Sequence, residues 1–80
     1  MTYREFLSEF EQLIDAPSGS IAGQEALADL EGWDSIATMM FIAMVDEKLG
    51  QTLSAQDVTG ATSVGDLALL AGVTANRDAA

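Results

Sequence analysis

An all-α domain is predicted, a small four-helix bundle of three main helices plus one short helix, with a long loop between the first helix and the second. Three observations predict it. Apolar residues recur at spacings of three and four in the first and last segments, the period of a half-buried helix. Residues that start and stop helices sit at the ends of the segments. No stretch alternates apolar and polar residues between hairpin turns, as strands would. The 80 residues make a single domain, expected over 1–73, with 74–80 a frayed tail.

Thr2-Tyr3-Arg4-Glu5 opens the first helix as a capping box, in which the threonine hydroxyl accepts from the Glu5 amide and Glu5 reaches back. Tyr3, Phe6, Leu7, Phe10, Leu13 and Ile14 form its apolar stripe. Pro17 is expected to end it by pushing Ala16 out of the helical region. From Ala16 to Trp33 no strong period appears. Ile21, Leu27, Leu30 and Trp33 nevertheless offer anchors that tie this loop to a core, with a helical turn or two expected between Gln24 and Leu30. Asp34 caps the second helix, which runs from Ser35 to about Leu49, and Gly50 supplies the left-handed residue beyond its end. Leu53-Ser54-Ala55-Gln56-Asp57 opens a short third helix that Gly60 interrupts. Thr62 or Ser63 caps the last helix, which carries Val64, Leu67, Ala68, Leu70 and Ala71 and closes at Gly72.

Thirteen acidic residues against three basic ones give a formal net charge of −10. A polyanion is repelled by nucleic-acid phosphates and by anionic membranes, so neither is an expected partner. The partner this charge favours is a protein with a basic surface. Without cysteine the chain has no disulfide, thiolate nucleophile or zinc-thiolate site, and without histidine it lacks the usual general base near neutral pH. The run Ile36 to Val45 is too short to span a membrane, and Met1 to Phe10, with Arg4, Glu5 and Glu9, has no signal-peptide pattern. A cytoplasmic monomer is expected.

The helix from Ser35 to Leu49 is apolar on two sides. At about 100° per residue, Phe41, Ile42, Val45 and Leu49 cluster as the core face. Ile36, Met39, Met40 and Ala43 fall on the opposite side, together with Asp46 and Glu47. The competing reading is a central helix buried all round. The strong preference of Asp and Glu for solvent decides against it. An exposed apolar patch rimmed by acid is the signature of a docking surface, and methionine suits one because it adapts to several shapes.

Gly32-Trp33-Asp34-Ser35-Ile36 stands where the loop enters this helix. First-turn amides lack intrahelical partners and the helix dipole favours negative charge there, so a phosphate esterified to Ser35 would be well placed. On its own an Asp-Ser pair is more often only a cap. Here Trp33-Asp34-Ser35-Ile36, between a long loop and an acidic-ended helix, resembles the attachment motif of acyl carrier proteins and the related peptidyl and aminoacyl carriers. Nearly the whole chain takes part in the likeness. Helix order and spacing match, and Thr62-Ser63-Val64-Gly65-Asp66-Leu67 looks like the family's junction into its last helix.

The resemblance implies that Ser35 receives 4'-phosphopantetheine from coenzyme A by the action of a phosphopantetheinyl transferase. The thiol of that arm then holds acyl or aminoacyl groups as thioesters for loading and condensing enzymes. It implies that Asp34 caps the helix and helps the transferase engage coenzyme A, and that Ile36, Met39, Met40, Ala43, Asp46 and Glu47 form the partner face. The chain itself would not be an enzyme. Two departures from the fatty-acid type stand out. Ile36 replaces the usual leucine. Ala37 and Met40 stand where acidic residues are common, while Lys48 interrupts the acidic end. They point to a stand-alone carrier of a specialised polyketide, nonribosomal peptide or related pathway.

Two rival functions fit less of the chain. An arm-less binding module could regulate a partner through Met39 and Met40, and a small hydrolase could use Ser35 but has no histidine to activate it. Glu25, Asp29 and Glu31 do not make a complete calcium loop and read as solvated surface charge. Trp33 reads as an anchor for the loop.

Overall fold

The computed structural model describes residues 1–73, and the expected tail at 74–80 lies outside them. Four helices follow in order: α1 (Tyr3–Leu13), α2 (Ser35–Leu49), α3 (Ala55–Thr59) and α4 (Val64–Leu70), with a single 3-10 turn at Leu27–Asp29 in the long loop. No strand occurs among the described residues, and the architecture is the expected all-α bundle. Helix α1 packs on α2, α2 on α3, and α3 on α4.

Each helix start follows from a short polar side chain that takes an orphan amide. Thr2, Ser54 and Ser63 accept from the amides of Glu5, Asp57 and Asp66, and those three carboxylates reach back to complete capping boxes. Gly50, at φ 67°, closes α2. The end of α1 differs from expectation. Asp15 adopts a left-handed conformation at φ 59°, a region aspartate tolerates better than most side chains. Its amide donates to the Gln12 carbonyl and the Ala16 amide donates to the Glu11 carbonyl, a Schellman pattern. The helix therefore stops before Pro17 can act.

The core joins all four helices and the loop around Phe6, Phe10, Leu27, Phe41, Val45, Val58, Val64 and Leu67. Aromatic contacts hold its centre. Phe6 meets Phe41 edge to face at 5.9 Å, and the Trp33 ring lies 5.5 Å from Phe10 and 6.0 Å from Phe41. Trp33 is thus the loop anchor its sequence position suggests. The inward face of α2 is rotated from the expected one. Ala37, Phe41 and Val45 are buried, whereas Ile42 and Leu49 are only half-buried at its margin. On this inward face Phe41 meets Phe6 of α1.

Carboxylates fix the long loop. Glu11 is the buried charged side chain of the described residues, and its Oε2 accepts from the Ile21 amide at 3.0 Å. Glu25 spans the amides of Ala22 and Gly23, both at 2.8 Å. The loop is also stitched to the start of α4. The Leu27 amide donates to the Thr62 carbonyl, Val64 to Glu25 and Gly65 to Gly23, around an isolated bridge between Ala26 and Ser63.

Two predictions follow from this packing. Phe41 is fully buried, so Phe41→Ala should lower stability by about 3–5 kcal/mol in denaturant unfolding; a loss under about 1 kcal/mol would contradict the assigned core. The second concerns acid. Burial pulls the Glu25 carboxyl upward, but the backbone N–H bonds from Ala22, its own amide and Gly23 outweigh it and hold the group below its ordinary 4.5. The Thr62 hydroxyl, then the Thr62 and Ser63 amides, hold Asp66 below 3.8. A carboxyl depressed in the folded state stabilises above its unfolded value and loses that contribution as pH falls through its folded one. Glu25→Gln should therefore cost stability at neutral pH and converge on wild type as pH falls through the lowered folded-state value of Glu25. A difference that stays constant with pH refutes the role given to the ionised carboxylate.

Candidate functional site

Ser35 is the first residue of α2 and is exposed. The segment before it is built stepwise. The 3-10 turn ends at Leu30, whose carbonyl accepts from the Trp33 amide at 3.1 Å. Trp33 then drops its indole between Phe10 and Phe41. Asp34, extended and exposed, turns the chain into the helix. Its Oδ1 accepts from the Ala37 amide at 2.8 Å, and its carbonyl accepts from the Thr38 amide and hydroxyl, each at 2.9 Å. The hydroxyl of Ser35 is left at the surface of a helix start whose backbone is held on both sides.

The side of α2 next to Ser35 carries the apolar patch. Ile36 is 67% exposed, Met39 71% and Met40 50%, and Ala43 is exposed beside them. Burial on all sides is therefore ruled out for this helix. Asp46 and Glu47 are exposed at its far end, so every residue expected on this face is at the surface.

One sequence reading changes. Ala37 is buried at 3% exposure and does not belong to the face. The apolar character of the face rests on Ile36, Met39 and Met40. Lys48 turns its ammonium to the Glu9 carboxylate on α1, which raises the Lys48 pKa through a hydrogen bond and charge attraction.

The loop carboxylates do not gather into an ion site. Among the described residues no three Asp, Glu, His or Cys side chains are placed to hold a metal ion. Glu25 spends its oxygens on the loop's own amides. Sequence reasoning passed over Glu11, although its spacing of four from Leu7 and three from Ile14 puts it on the buried stripe. It also passed over Gly32, where a side chain would strike the end of α1.

Among the described residues no helix is long and apolar enough to cross a membrane. The small helical bundle thus presents an exposed serine at a helix start, next to an apolar and acid-rimmed helix face. Comparison with known families adds to this. The model for the phosphopantetheine attachment site matches residues 4–71, and the chain belongs to that family. No curated protein and no solved structure matches it. Members of the family are non-catalytic carriers that bear covalently attached 4'-phosphopantetheine and interact with a phosphopantetheinyl transferase and partner enzymes. This chain is accordingly a phosphopantetheine-bearing carrier protein.

The geometry of the face yields a direct check. Met40→Glu should change unfolding stability by no more than about 0.5 kcal/mol, as expected of a surface position. A large fall in Tm would place Met40 in the core.

Proposed function

We propose that Ser35 is the attachment residue and that the face of Ile36, Met39, Met40, Ala43, Asp46 and Glu47 receives the partner enzymes. The observation that carries this reading is the exposure of Ser35 at the first turn of α2, within the matched span and beside the exposed apolar face. The local structure suits the group. A phosphodiester at Ser35 lies where the helix dipole and first-turn amides favour negative charge. In the transfer, the Ser35 oxygen forms a bond to phosphorus as the pyrophosphate bond of coenzyme A breaks. The adenosine-containing phosphate leaves, and the hydroxyl proton passes to a base of the transferase. Once attached, the arm supplies a terminal thiol that holds acyl or aminoacyl groups as thioesters, which explains how a chain without cysteine or histidine serves acyl chemistry.

Asp34 has a double task on this reading. One carboxylate oxygen caps α2, and the other faces the transferase and coenzyme A. Asp46 and Glu47 attract a basic partner surface, and the methionines then pack against it. Loading and condensing enzymes are the partners this fits. The apolar contribution of Ile36, Met39 and Met40 favours a stand-alone carrier of a specialised polyketide, nonribosomal peptide or related pathway. The carrier works as a monomer in the cytoplasm, since self-association through α2 would cover the face its partners need.

Intact-mass measurement after incubation with coenzyme A and a phosphopantetheinyl transferase tests the assignment. Wild type should gain the arm and Ser35→Ala should not. Absence of a gain on folded wild type would favour an arm-less binding module instead. Met40→Glu should take up the arm yet slow acyl transfer with a cognate enzyme by roughly tenfold, the effect of about 1.4 kcal/mol at an interface. Unchanged transfer removes Met40 from the partner face.

A further inference from the structure

We infer that Gly32 is a positioning residue for Ser35: its missing side chain lets the loop press directly on the end of α1, and this contact fixes where the attachment serine stands. The inference rests on the reading of Ser35 as the attachment residue.

A β-carbon built on Gly32 would lie 2.2 Å from the Ile14 carbonyl oxygen, 2.8 Å from the Ile14 β-carbon and 3.0 Å from its carbonyl carbon. Two of these three atoms are backbone, so no side-chain rotation relieves the overlap. Backbone conformation does not require glycine here, because the positive-φ glycines of the chain are Gly19, Gly23, Gly50 and Gly72. Gly32 is needed for space alone.

The opposing surface cannot retreat. Ile14 is the cap of α1, and the next two residues are tied back to the helix, Asp15 to Gln12 and Ala16 to Glu11. Ile14 itself is packed in the core. A side chain at position 32 must therefore move the other party, the segment from Leu30 to Asp34. That segment ends in the residue that caps α2 and precedes Ser35. Trp33 transmits the displacement, since it follows Gly32 directly and its indole is held by Phe10 of α1 and Phe41 of α2. Gly32 and Trp33 together form a seat. One presses the backbone against α1, and the other locks a ring between α1 and α2. The partner face on Met39 and Met40 lies further along α2 and is not part of it.

The seat and the face therefore make separable contributions to arm transfer. The face sets how well a transferase binds the carrier, and the seat sets whether the bound hydroxyl meets coenzyme A in line. Small misplacement of a reacting group can cost up to about a hundredfold in rate.

The test follows arm transfer by intact mass with coenzyme A and a phosphopantetheinyl transferase, at varied carrier concentration, on wild type, Gly32→Ala, Gly60→Ala and Trp33→Phe. Gly60 is the control, because a β-carbon there meets nothing closer than 3.6 Å and its φ is ordinary. Gly32→Ala, with helical circular dichroism retained, should lower kcat roughly tenfold or more while leaving KM for the carrier near its wild-type value. Its emission from the single tryptophan, Trp33, should shift to the red as the indole leaves the two phenylalanines. Gly60→Ala should match wild type. If Gly32→Ala does not fold, Trp33→Phe decides, because it loosens the same seat while keeping a ring in the core. A severalfold drop in kcat at constant KM supports the seat, and a wild-type kcat overturns it. Gly32→Ala with wild-type kcat, or with only a raised KM, overturns it too while Ser35 stands as the attachment residue. A folded wild type that gains no mass defeats the Ser35 assignment and this inference together.

Discussion

The contact between Phe41 and the rings around it bears most of the fold. A chain of 80 residues has too little interior for several independent clusters, and here one cluster takes in three segments. Phe6 and Phe10 bring α1, Trp33 brings the long loop, and Phe41 brings α2. α1 and the loop share one side of α2, and α3 reaches it as well, so among the described residues nothing covers the remaining side. The exposed Ile36, Met39 and Met40 are the geometric remainder of a helix that is apolar on two faces in a bundle able to bury one. An exposed apolar surface thus arises at no cost to the core, since none of its residues is asked to pack inside.

Charge is arranged by the same economy. With thirteen acidic groups against three basic ones, ion pairing cannot neutralise the chain. Many of the carboxylates bond to backbone amides instead. Glu5, Asp34, Asp57 and Asp66 serve helix starts, while Glu11 and Glu25 hold the loop. Such bonds use the negative charge where unpaired N–H groups concentrate, and charge-assisted bonds are the stronger kind. Lys48 pairs with Glu9 across α1 and α2. As an exposed pair it adds little to stability. Its effect is on the pattern of charge, because the one cation of α2 is paired with Glu9 on α1 while Glu47 also attracts it.

Much of this was legible in the residues. Helix starts were readable because a cap is local: Thr2, Asp34, Ser54 and Ser63 act on amides two or three positions away. The exposed face was readable because Asp46 and Glu47 mark solvent and the helical period then assigns their neighbours. What was not readable depended on partners distant in the chain. Periodicity within α2 alone centred the core between Ile42 and Val45, but in the packed bundle it lies along Ala37, Phe41 and Val45, with Phe41 against Phe6 of α1. The clasp between residues 23–27 and 62–65 has too few pairs to show an alternating pattern. The stop of α1 was assigned to Pro17, a strong local signal, although Asp15 acts earlier through a conformation that aspartate only sometimes takes.

A carrier must meet two demands that pull against each other. The residue that bears the arm has to be open to enzymes of different shape, yet its backbone must not wander, since a loose attachment point would misplace the arm at every encounter. Placing the serine on a mobile loop would meet the first demand, and burying it in a rigid core would meet the second. With the arm on Ser35 as proposed, position 35 meets both because rigidity and exposure come from different atoms. The backbone is held by the Asp34 cap, by the indole of Trp33 and by the close approach of Gly32 to Ile14. Ser35 itself is exposed. Only a helix start that follows an anchored loop combines these, and that is why the long segment between α1 and α2 is pinned so heavily despite carrying almost no regular structure.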